Sequence, residues 1–161
     1  MSLPAFKKPQ SSRSRNMRAI KATSNATTEL RLRARLMRNH IAGWRVRPSN
    51  LIGCPDFYFP NARLAVFVDG CFWHVCPKCG HVPKTNRRYW TKKLARNKQR
   101  DAQIRTALRS GGIRVLRIWE CELRKDPNSC LRRIIRAIHA RQGMSMGEPA
   151  HPRGRSAATQ S

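Results

Sequence analysis

Apolar residues in the first half of the chain predict one helix followed by three short strands. Spacings of three and four predict an amphipathic helix that Gly43 ends. Its apolar face consists of Leu30, Ala34, Met37 and Ile41. Alternating apolar and basic residues at 44–47 predict a strand with one buried face. Residues 56–59 and 64–68 predict two further strands, and the four residues between them predict a hairpin.

The second half of the chain predicts two helices separated by a strand. The long helix covers residues 87–110 and ends at Gly111, and its apolar stripe contains Trp90, Leu94, Ile104 and Leu108. Asn97 and Asp101 lie on the same stripe, and we expect them to bond to the sheet because buried polar groups need partners. A strand follows at residues 113–119, and Asp126-Pro127 provides the N-cap and first position of a last helix.

This order of elements predicts an α/β domain whose mixed sheet is covered by helices. We expect one domain over residues 14–142. Residues 1–13 and 143–161 lack periodicity and are rich in Ser, Pro and basic residues, which predicts a disordered basic arm and a disordered tail.

The charge of the chain points to a polyanionic partner. Lys and Arg number 34 against eight Asp and Glu, a formal net charge of +26. Basic residues are spread from Lys7 to Arg155 rather than along one amphipathic helix, which favours nucleic acid over a membrane surface. No apolar run approaches the ~20 residues of a transmembrane helix. The N-terminus lacks the apolar stretch of a signal peptide, so we expect a cytoplasmic protein.

The predicted hairpin brings together groups that suit phosphodiester hydrolysis. Asp56 begins one strand and Val68-Asp69 ends its antiparallel neighbour, so the two chain ends should be close. Asp56, the Val68 carbonyl and Asp69 offer the oxygen ligands that Mg²⁺ prefers. His74 is a candidate general base, because its ordinary pKa is near ~6.5. Glu29, in the first turn of the first helix, is better explained by a favourable helix-dipole interaction.

Cysteines predict a second site, which holds zinc. Cys71, Cys76 and Cys79 follow the hairpin, and Cys121 leaves a later strand close to where this loop should pack. Four such thiols suit tetrahedral Zn²⁺, with His81 as an alternative ligand. A redox-active Cys-x-x-Cys pair is disfavoured because no thioredoxin-like strand-to-helix context surrounds it. The remaining Cys54 and Cys130 are interpreted as small buried hydrophobic residues.

Phe72-Trp73, between a cysteine and the histidine, admits two interpretations. Burial in the core is the ordinary one, and insertion between base pairs of DNA is the other. Met17 belongs to a short N-terminal helical stretch and is interpreted as pinned to the core.

At these residues the chain resembles the very short patch repair (Vsr) endonucleases, small bacterial members of the PD-(D/E)XK nuclease superfamily. The most specific match is the run Gly70-Cys71-Phe72-Trp73-His74. The matching segments are residues 15–20, 28–30, 55–56, 67–74, 83–85 and 115–121. Together they extend over about residues 13–140.

The resemblance implies a restriction-endonuclease-like fold and a strand-specific enzyme. It would nick double-stranded DNA 5′ of the T in T:G mismatches left by deamination of 5-methylcytosine. Asp56 would be the main Mg²⁺ ligand, His74 the base and Glu29 an accessory group. The intercalating wedge would be Met17, Phe72 and Trp73. The enzyme would act as a monomer at the nucleoid, with mismatch-repair proteins as candidate partners.

Two positions depart from the family pattern. Asp69 stands where some members carry His, and it is retained as a candidate catalytic residue. Cys76 also stands where others carry His, which predicts an all-cysteine zinc site formed by Cys71, Cys76, Cys79 and Cys121. The Glu-x-Lys half of the superfamily motif is absent from the sequence.

Two alternative functions remain open. One is a homing or restriction-type nuclease that cuts matched DNA. The other is a zinc-stabilised DNA-binding module without catalysis, in which Asp56 and Asp69 merely cap turns.

Overall fold

The computed structural model describes residues 27–140, which form four helices and four strands. The strands are β1 (Arg45–Val46), β2 (Phe57–Phe59), β3 (Leu64–Asp69) and β4 (Arg114–Trp119). The helices are α1 (residues 27–38), α2 (Arg87–Ser110), α3 (Glu120–Lys125) and α4 (Pro127–His139). The predicted arm at 1–13, the predicted tail at 143–161 and Met17 lie outside the described residues.

The four strands form one mixed sheet in the order β1-β2-β3-β4. β1 and β2, and likewise β2 and β3, pair antiparallel, whereas β3 and β4 pair parallel. The parallel pair requires a crossover, which α2 supplies. The predicted mixed α/β architecture is therefore confirmed.

Helices cover both faces of this sheet. Leu64, Val66 and Val68 of β3 pack in one core cluster with residues of α1 and α4. The alternate residue Phe67 turns to the opposite face, where it lines a cavity of about 300 Å³ together with Ile104 of α2 and His74. β3 is an inner strand, paired with β2 on one side and β4 on the other, so its ends are held from both sides.

The apolar face predicted for α1 is wrong. Leu30 and Met37 are 59% and 60% exposed, whereas Leu32 and Leu36 are fully buried. Buried Thr28 lies one turn before Leu32, so a stripe spaced by four residues faces the sheet. The sequence alone did not distinguish the two stripes, because leucines occur on both.

Two smaller predictions also differ from the structure. Both residues of β1 are exposed, because this edge strand is only two residues long and Trp44, just before it, makes the edge-to-face contact with Phe57. Residues 120–125 form α3, a helix that the sequence analysis did not predict. The cap of α4 is confirmed, since the Asp126 carboxylate accepts a hydrogen bond of 2.9 Å from the Ser129 amide.

No helix within residues 27–140 is long and apolar enough to cross a membrane.

Gly53, in the loop before β2, is expected to accept a side chain only at a cost in stability. Its φ is +80°, and an added Cβ would lie 2.4 Å from Cγ2 of Ile104 on α2. Gly43 has a similar φ of +76° with nothing within 4 Å of the added atom. We expect Gly43→Ala to cost about 1 kcal/mol from backbone strain and Gly53→Ala to cost about 1–3 kcal/mol more from overpacking.

Urea unfolding of the two glycine variants tests this expectation. Equal losses of unfolding free energy would show that the loop before Asp56 is not held against α2.

Candidate active site

Asp56 lies directly before β2 and is fixed by the neighbouring strand. The backbone amide of Val68 donates a hydrogen bond of 2.7 Å to its carboxylate. This contact brings Asp56 to the end of β3, as the predicted hairpin required. Burial raises the pKa of Asp56 to about 6, against the lowering effect of the Val68 hydrogen bond, and the Glu29 and Asp69 carboxylates add to the rise. A bound cation would favour the ionised form of such a carboxylate.

Glu29 faces the same place from α1. Arg47 connects the two acids, since its guanidinium bonds the Glu29 carboxylate and its Nε lies 3.9 Å from Oδ1 of Asp56. The Glu29 charge also acts on the Asp56 pKa. Glu29 therefore interacts with Arg47 and Asp56 in addition to the helix dipole.

The raised pKa of Asp56 predicts a pH-dependent stability in magnesium-free buffer. The folded-state pKa of about 6 lies above the ordinary 3.8, so the folded protein holds this proton more tightly than the unfolded chain does. Stability is therefore expected to fall as pH rises from about 4 to about 7, by roughly 2 kcal/mol from this group. Urea unfolding of the wild type and of Asp56→Asn between pH 4 and 8 measures the difference.

The Asp56→Asn protein lacks the titrating group and serves as the reference. A wild-type-minus-variant difference that stays constant with pH would contradict the expectation.

His74 is held by a carboxylate from the crossover helix. Its Nδ1 lies 2.6 Å from Oδ2 of Asp101 on α2. A contact of this length to an acceptor favours a proton on Nδ1, which leaves Nε2 free to accept one. The pair has the geometry of a general base with its orienting acid.

Asp69 and Arg117 complete a charged cluster around this histidine. Arg117 of β4 bonds both carboxylate oxygens of Asp69, one of them at 2.8 Å. Its Nη2 also lies 3.0 Å from Oδ2 of Asp101 and 3.2 Å from Nδ1 of His74. Asp69 and Asp101 are both buried. Two buried carboxylates and an imidazole therefore surround one guanidinium.

The polar residues of α2 do not both bond to the sheet as expected. Asn97 donates a hydrogen bond of 3.0 Å to the Trp73 carbonyl, so it supports the loop after β3. Asp101 reaches both the sheet, through Arg117, and the candidate base His74. The crossover helix brings these two residues to the end of β3 because it packs across the face to which Phe67 points.

The four predicted cysteines form one cluster. The sulfur atoms of Cys71, Cys76, Cys79 and Cys121 all lie within 4.8 Å of one another. A tetrahedral zinc site with Zn–S bonds of about 2.3 Å has sulfur atoms about 3.8 Å apart, and the Cys76 and Cys121 sulfurs are 3.7 Å apart. The thiols therefore fit a closed metal site of four sulfurs, and His81 is outside it.

Backbone amides donate to two sulfur atoms of the cluster, those of Cys71 and Cys76. Burial opposes ionisation of Cys76, but the backbone amides of Lys78 and Cys79 lower its pKa below the ordinary value. Burial raises the pKa of Cys71, and the Cys121 amide donates to its sulfur at 3.3 Å. Of the two other thiols, Cys130 is buried as predicted, whereas Cys54 is exposed and that prediction is wrong.

Phe72 and Trp73 lie in an aromatic group at the surface of the loop after β3. Their rings pack edge to face with centroids 4.9 Å apart, and Trp90 of α2 lies 5.2 Å from Phe72 and 6.0 Å from Trp73. Both residues are half-buried rather than enclosed in the core. Both residues pack against Trp90 and remain partly exposed.

Comparisons with known proteins identify the family. Residues 6–79 match the model of the family DNA mismatch endonuclease Vsr. The type II nicking enzyme V.NaeI of Lentzea aerocolonigenes is 43% identical over 121 residues, 71% of this chain and 70% of that enzyme. The DNA mismatch endonuclease Vsr of Escherichia coli K12 is 40% identical over 117 residues, 71% of this chain and 73% of that protein. The chain belongs to the Vsr family of DNA mismatch endonucleases. The Vsr assignment confirms that the protein is a DNA-acting endonuclease.

Three residues of the site lie beyond the segment that matches the Vsr family model. That segment ends at Cys79, so it contains Asp56 and His74 but not Asp101, Arg117 or Cys121. Cys121 was predicted from its thiol, and Asp101 was noticed because it interrupts an apolar stripe. Arg117 lies within the strand predicted at 113–119 and was not predicted as a site residue, although an Arg between Leu116 and Ile118 was a signal.

Proposed function

We propose that this endonuclease nicks double-stranded DNA on the 5′ side of the T in a T:G mismatch of the kind produced by deamination of 5-methylcytosine. The observation that carries the proposal is that Asp56 and His74 both lie near one end of β3, since Asp56 accepts a hydrogen bond from the Val68 amide and His74 Nδ1 lies 3.9 Å from Oδ1 of Asp69. The relative from Escherichia coli is itself named a DNA mismatch endonuclease, which supports the choice of substrate. We also assign the restriction-endonuclease-like form of the mixed α/β fold.

Asp56 and the Val68 carbonyl are the groups we assign to a catalytic Mg²⁺. The raised pKa of Asp56 and the nearby Glu29 carboxylate fit a place where a cation would relieve an excess of buried negative charge. When bound, the metal supplies charge neutralisation at the scissile phosphate.

The side chains of the chain itself activate the attacking water. His74 takes a proton at Nε2 from the water that attacks the phosphorus, while Asp101 holds the Nδ1 proton and fixes the ring. The P–O bond to the leaving sugar oxygen breaks, and that oxygen takes a proton from solvent. Glu29 orients water beside Asp56, and Arg47 holds Glu29 in place. We retain Asp69 as a member of the catalytic cluster through its contacts with Arg117.

Met17, Phe72 and Trp73 are the residues we assign to the wedge. The half-buried rings of Phe72 and Trp73, backed by Trp90, can slide between base pairs without unfolding of the core. A mismatched pair is already weakened, so unstacking costs less there than in matched DNA. The net charge of +26 supplies the attraction to the backbone.

We assign Zn²⁺ to the four cysteines as a structural ion. It would tie the loop that carries Phe72, Trp73 and His74 to α3, where Cys121 lies. The domain proposed for this activity covers residues 14–142 and acts as a monomer. Its place in the cell is the nucleoid, where mismatch-repair proteins act on the same DNA.

A panel of labelled duplexes tests the proposal. Otherwise identical oligonucleotides with T:G, T:A, C:G and other mismatched pairs are incubated with and without Mg²⁺, and the nicked strand and position are mapped. We expect one nick, 5′ of the mismatched T, only with Mg²⁺. The panel is repeated in varied flanking sequences.

The same panel separates the alternatives. Relatives such as V.NaeI are named type II nicking enzymes, which motivates a restriction-type activity on matched DNA. Equal nicking of T:A and T:G duplexes would favour that activity, and binding without nicking would favour a DNA-binding module.

A further inference from the structure

One guanidinium joins three elements of the fold beside the candidate base. Arg117 of β4 bonds both oxygens of Asp69 at the end of β3, and the same Nη2 contacts Asp101 of α2. The side chains of Asp69 and Asp101 are 3% and 9% exposed, and that of Arg117 is 22% exposed. The contacts are therefore largely shielded from water. Charge interactions are stronger in such a buried place than on the surface.

The register of the sheet explains how Arg117 reaches both acids. Arg117 pairs with Phe67 in the parallel ladder, two residues before the Asp69–Trp119 pair. Its guanidinium carbon lies 5.9 Å from the Phe67 ring centroid. The side chain thus passes over Phe67 toward the end of β3, on the face that α2 covers.

The Oδ2 atom of Asp101 is the shared point of this arrangement. It lies 2.6 Å from Nδ1 of His74 and 3.0 Å from Nη2 of Arg117. A carboxylate bonded by a fixed guanidinium has little freedom to rotate. Arg117 therefore determines where His74 finds its acceptor, although it contributes no atom to a reacting bond.

Asp69 is the anchor of that guanidinium. Both of its oxygens are bonded to Arg117, and Oδ1 lies 3.9 Å from Nδ1 of His74. Two buried carboxylates this close to one ring would repel each other without a cation between them. The Arg117–Asp69 ion pair therefore places a fixed positive charge between the acids, and it requires Asp69 to be buried.

We propose that Arg117 is a positioning residue of the nicking reaction, which orients Asp101 and through it His74, and that Asp69 anchors Arg117 rather than binding the catalytic metal. The inference rests on the proposed function, in which His74 is the base. It gives Asp69 a role in the chemistry that does not require a metal contact.

Substitutions of Arg117 separate positioning from stability. Arg117→Lys keeps the charge but loses the forked geometry, so single-turnover nicking of T:G DNA at saturating enzyme is expected to fall on the order of 10–100-fold. The dissociation constant for the DNA is expected to stay within about 3-fold. The nicking rate of Arg117→Ala is expected to fall further. Added guanidinium at millimolar concentration should restore part of this rate, because it can occupy the space that the side chain leaves.

Arg114→Lys is the matched control. Arg114 lies on the same strand and donates a hydrogen bond of 3.1 Å to the Ala62 carbonyl, at the opposite end of the ladder from Asp69. Its variant is expected to nick at the wild-type rate. Urea unfolding of all variants shows whether a loss of rate merely follows a loss of folded protein.

The role of Asp69 is tested by metal binding. Mn²⁺ as a probe, followed by electron paramagnetic resonance, is expected to bind Asp69→Asn within about 3-fold of the wild type and Asp56→Asn far more weakly. Loss of Mn²⁺ binding in Asp69→Asn equal to that in Asp56→Asn would make Asp69 a metal ligand and overturn this part of the inference.

The outcomes distinguish this inference from the proposed function. Nicking of T:G DNA by the wild type together with an unchanged rate in Arg117→Lys and Arg117→Ala would refute the positioning role and leave the proposed function standing. A wild type that does not nick T:G DNA would refute the proposed function and, with it, the role given to Arg117.

Discussion

Asp56→Asn is expected to abolish nicking of T:G DNA while the protein stays folded. The substitution removes the buried carboxylate that we assign to Mg²⁺, and loss of such a ligand is expected to lower the rate at least about 1,000-fold. Asn keeps an oxygen that can accept the 2.7 Å hydrogen bond from the Val68 amide. The fold around β2 and β3 should therefore be preserved.

Stability is the second readout for this variant. Burial raises the pKa of Asp56 to about 6, so the ionised side chain is unfavourable in the folded protein at neutral pH. Removing the charge is expected to leave the free energy of unfolding unchanged or higher. An activity lost without a loss of stability is the mark of a functional rather than a structural carboxylate.

Asp126→Asn is the control with the same chemical change. Asp126 is exposed and caps α4, and Asn is also a good N-cap, so nicking should be unaffected. The measurement is single-turnover nicking in saturating Mg²⁺, with DNA affinity followed separately. An Asp56→Asn enzyme that retains a rate within 10-fold of wild type would exclude Asp56 as the main metal ligand.

The sequence predicted the elements that have strong local signals. The helix at 87–110 begins and ends as the apolar stripe and Gly111 indicated. Strands β2 and β3 were found because a hairpin joins two apolar runs. Such elements are predictable since each is specified by its own residues.

Features that depend on distant residues were not predictable in this way. The buried face of α1 was assigned to the wrong stripe, because its choice depends on which side meets the sheet. Likewise, α3 is only six residues long and has few positions from which a period can be read. Val46 is exposed because it lies in a short edge strand, although the alternation of residues indicated one buried face.

In the candidate site, too, contacts between residues close in sequence were predictable and contacts between distant residues were not. Asp56 and Val68 are brought together by a local hairpin, so their proximity followed from sequence spacing. The bond between His74 and Asp101 joins residues 27 positions apart through a crossover helix. Arg117 and Asp69 are 48 positions apart in the sequence, and their contact depends on the parallel register of β3 and β4. Spacing in a single sequence does not reveal such a register.

Removal of metal from the cysteine cluster is expected to unfold the loop after β3 and destabilise the whole domain. Cys71 follows β3 and Cys121 lies in the first turn of α3, directly after β4, so a zinc ion would hold the ends of two neighbouring strands together. Structural zinc contributes its binding energy to folding, and Cys121→Ser is expected to lower the free energy of unfolding by more than about 3 kcal/mol. Zinc content by mass spectrometry should be one ion per wild-type chain.

Cys54→Ser provides the control for loss of a thiol, because Cys54 is exposed and outside the cluster. It should keep its metal, its stability and its activity. The Cys121→Ser protein should also nick slowly, since His74 lies between Cys71 and Cys76 in a loop closed by the 2.9 Å bond from the Cys76 amide to the Cys71 carbonyl. If Cys121→Ser kept wild-type stability with no bound zinc, the loop would be held by Asn97 and the aromatic group instead, and the four sulfurs would have no structural role.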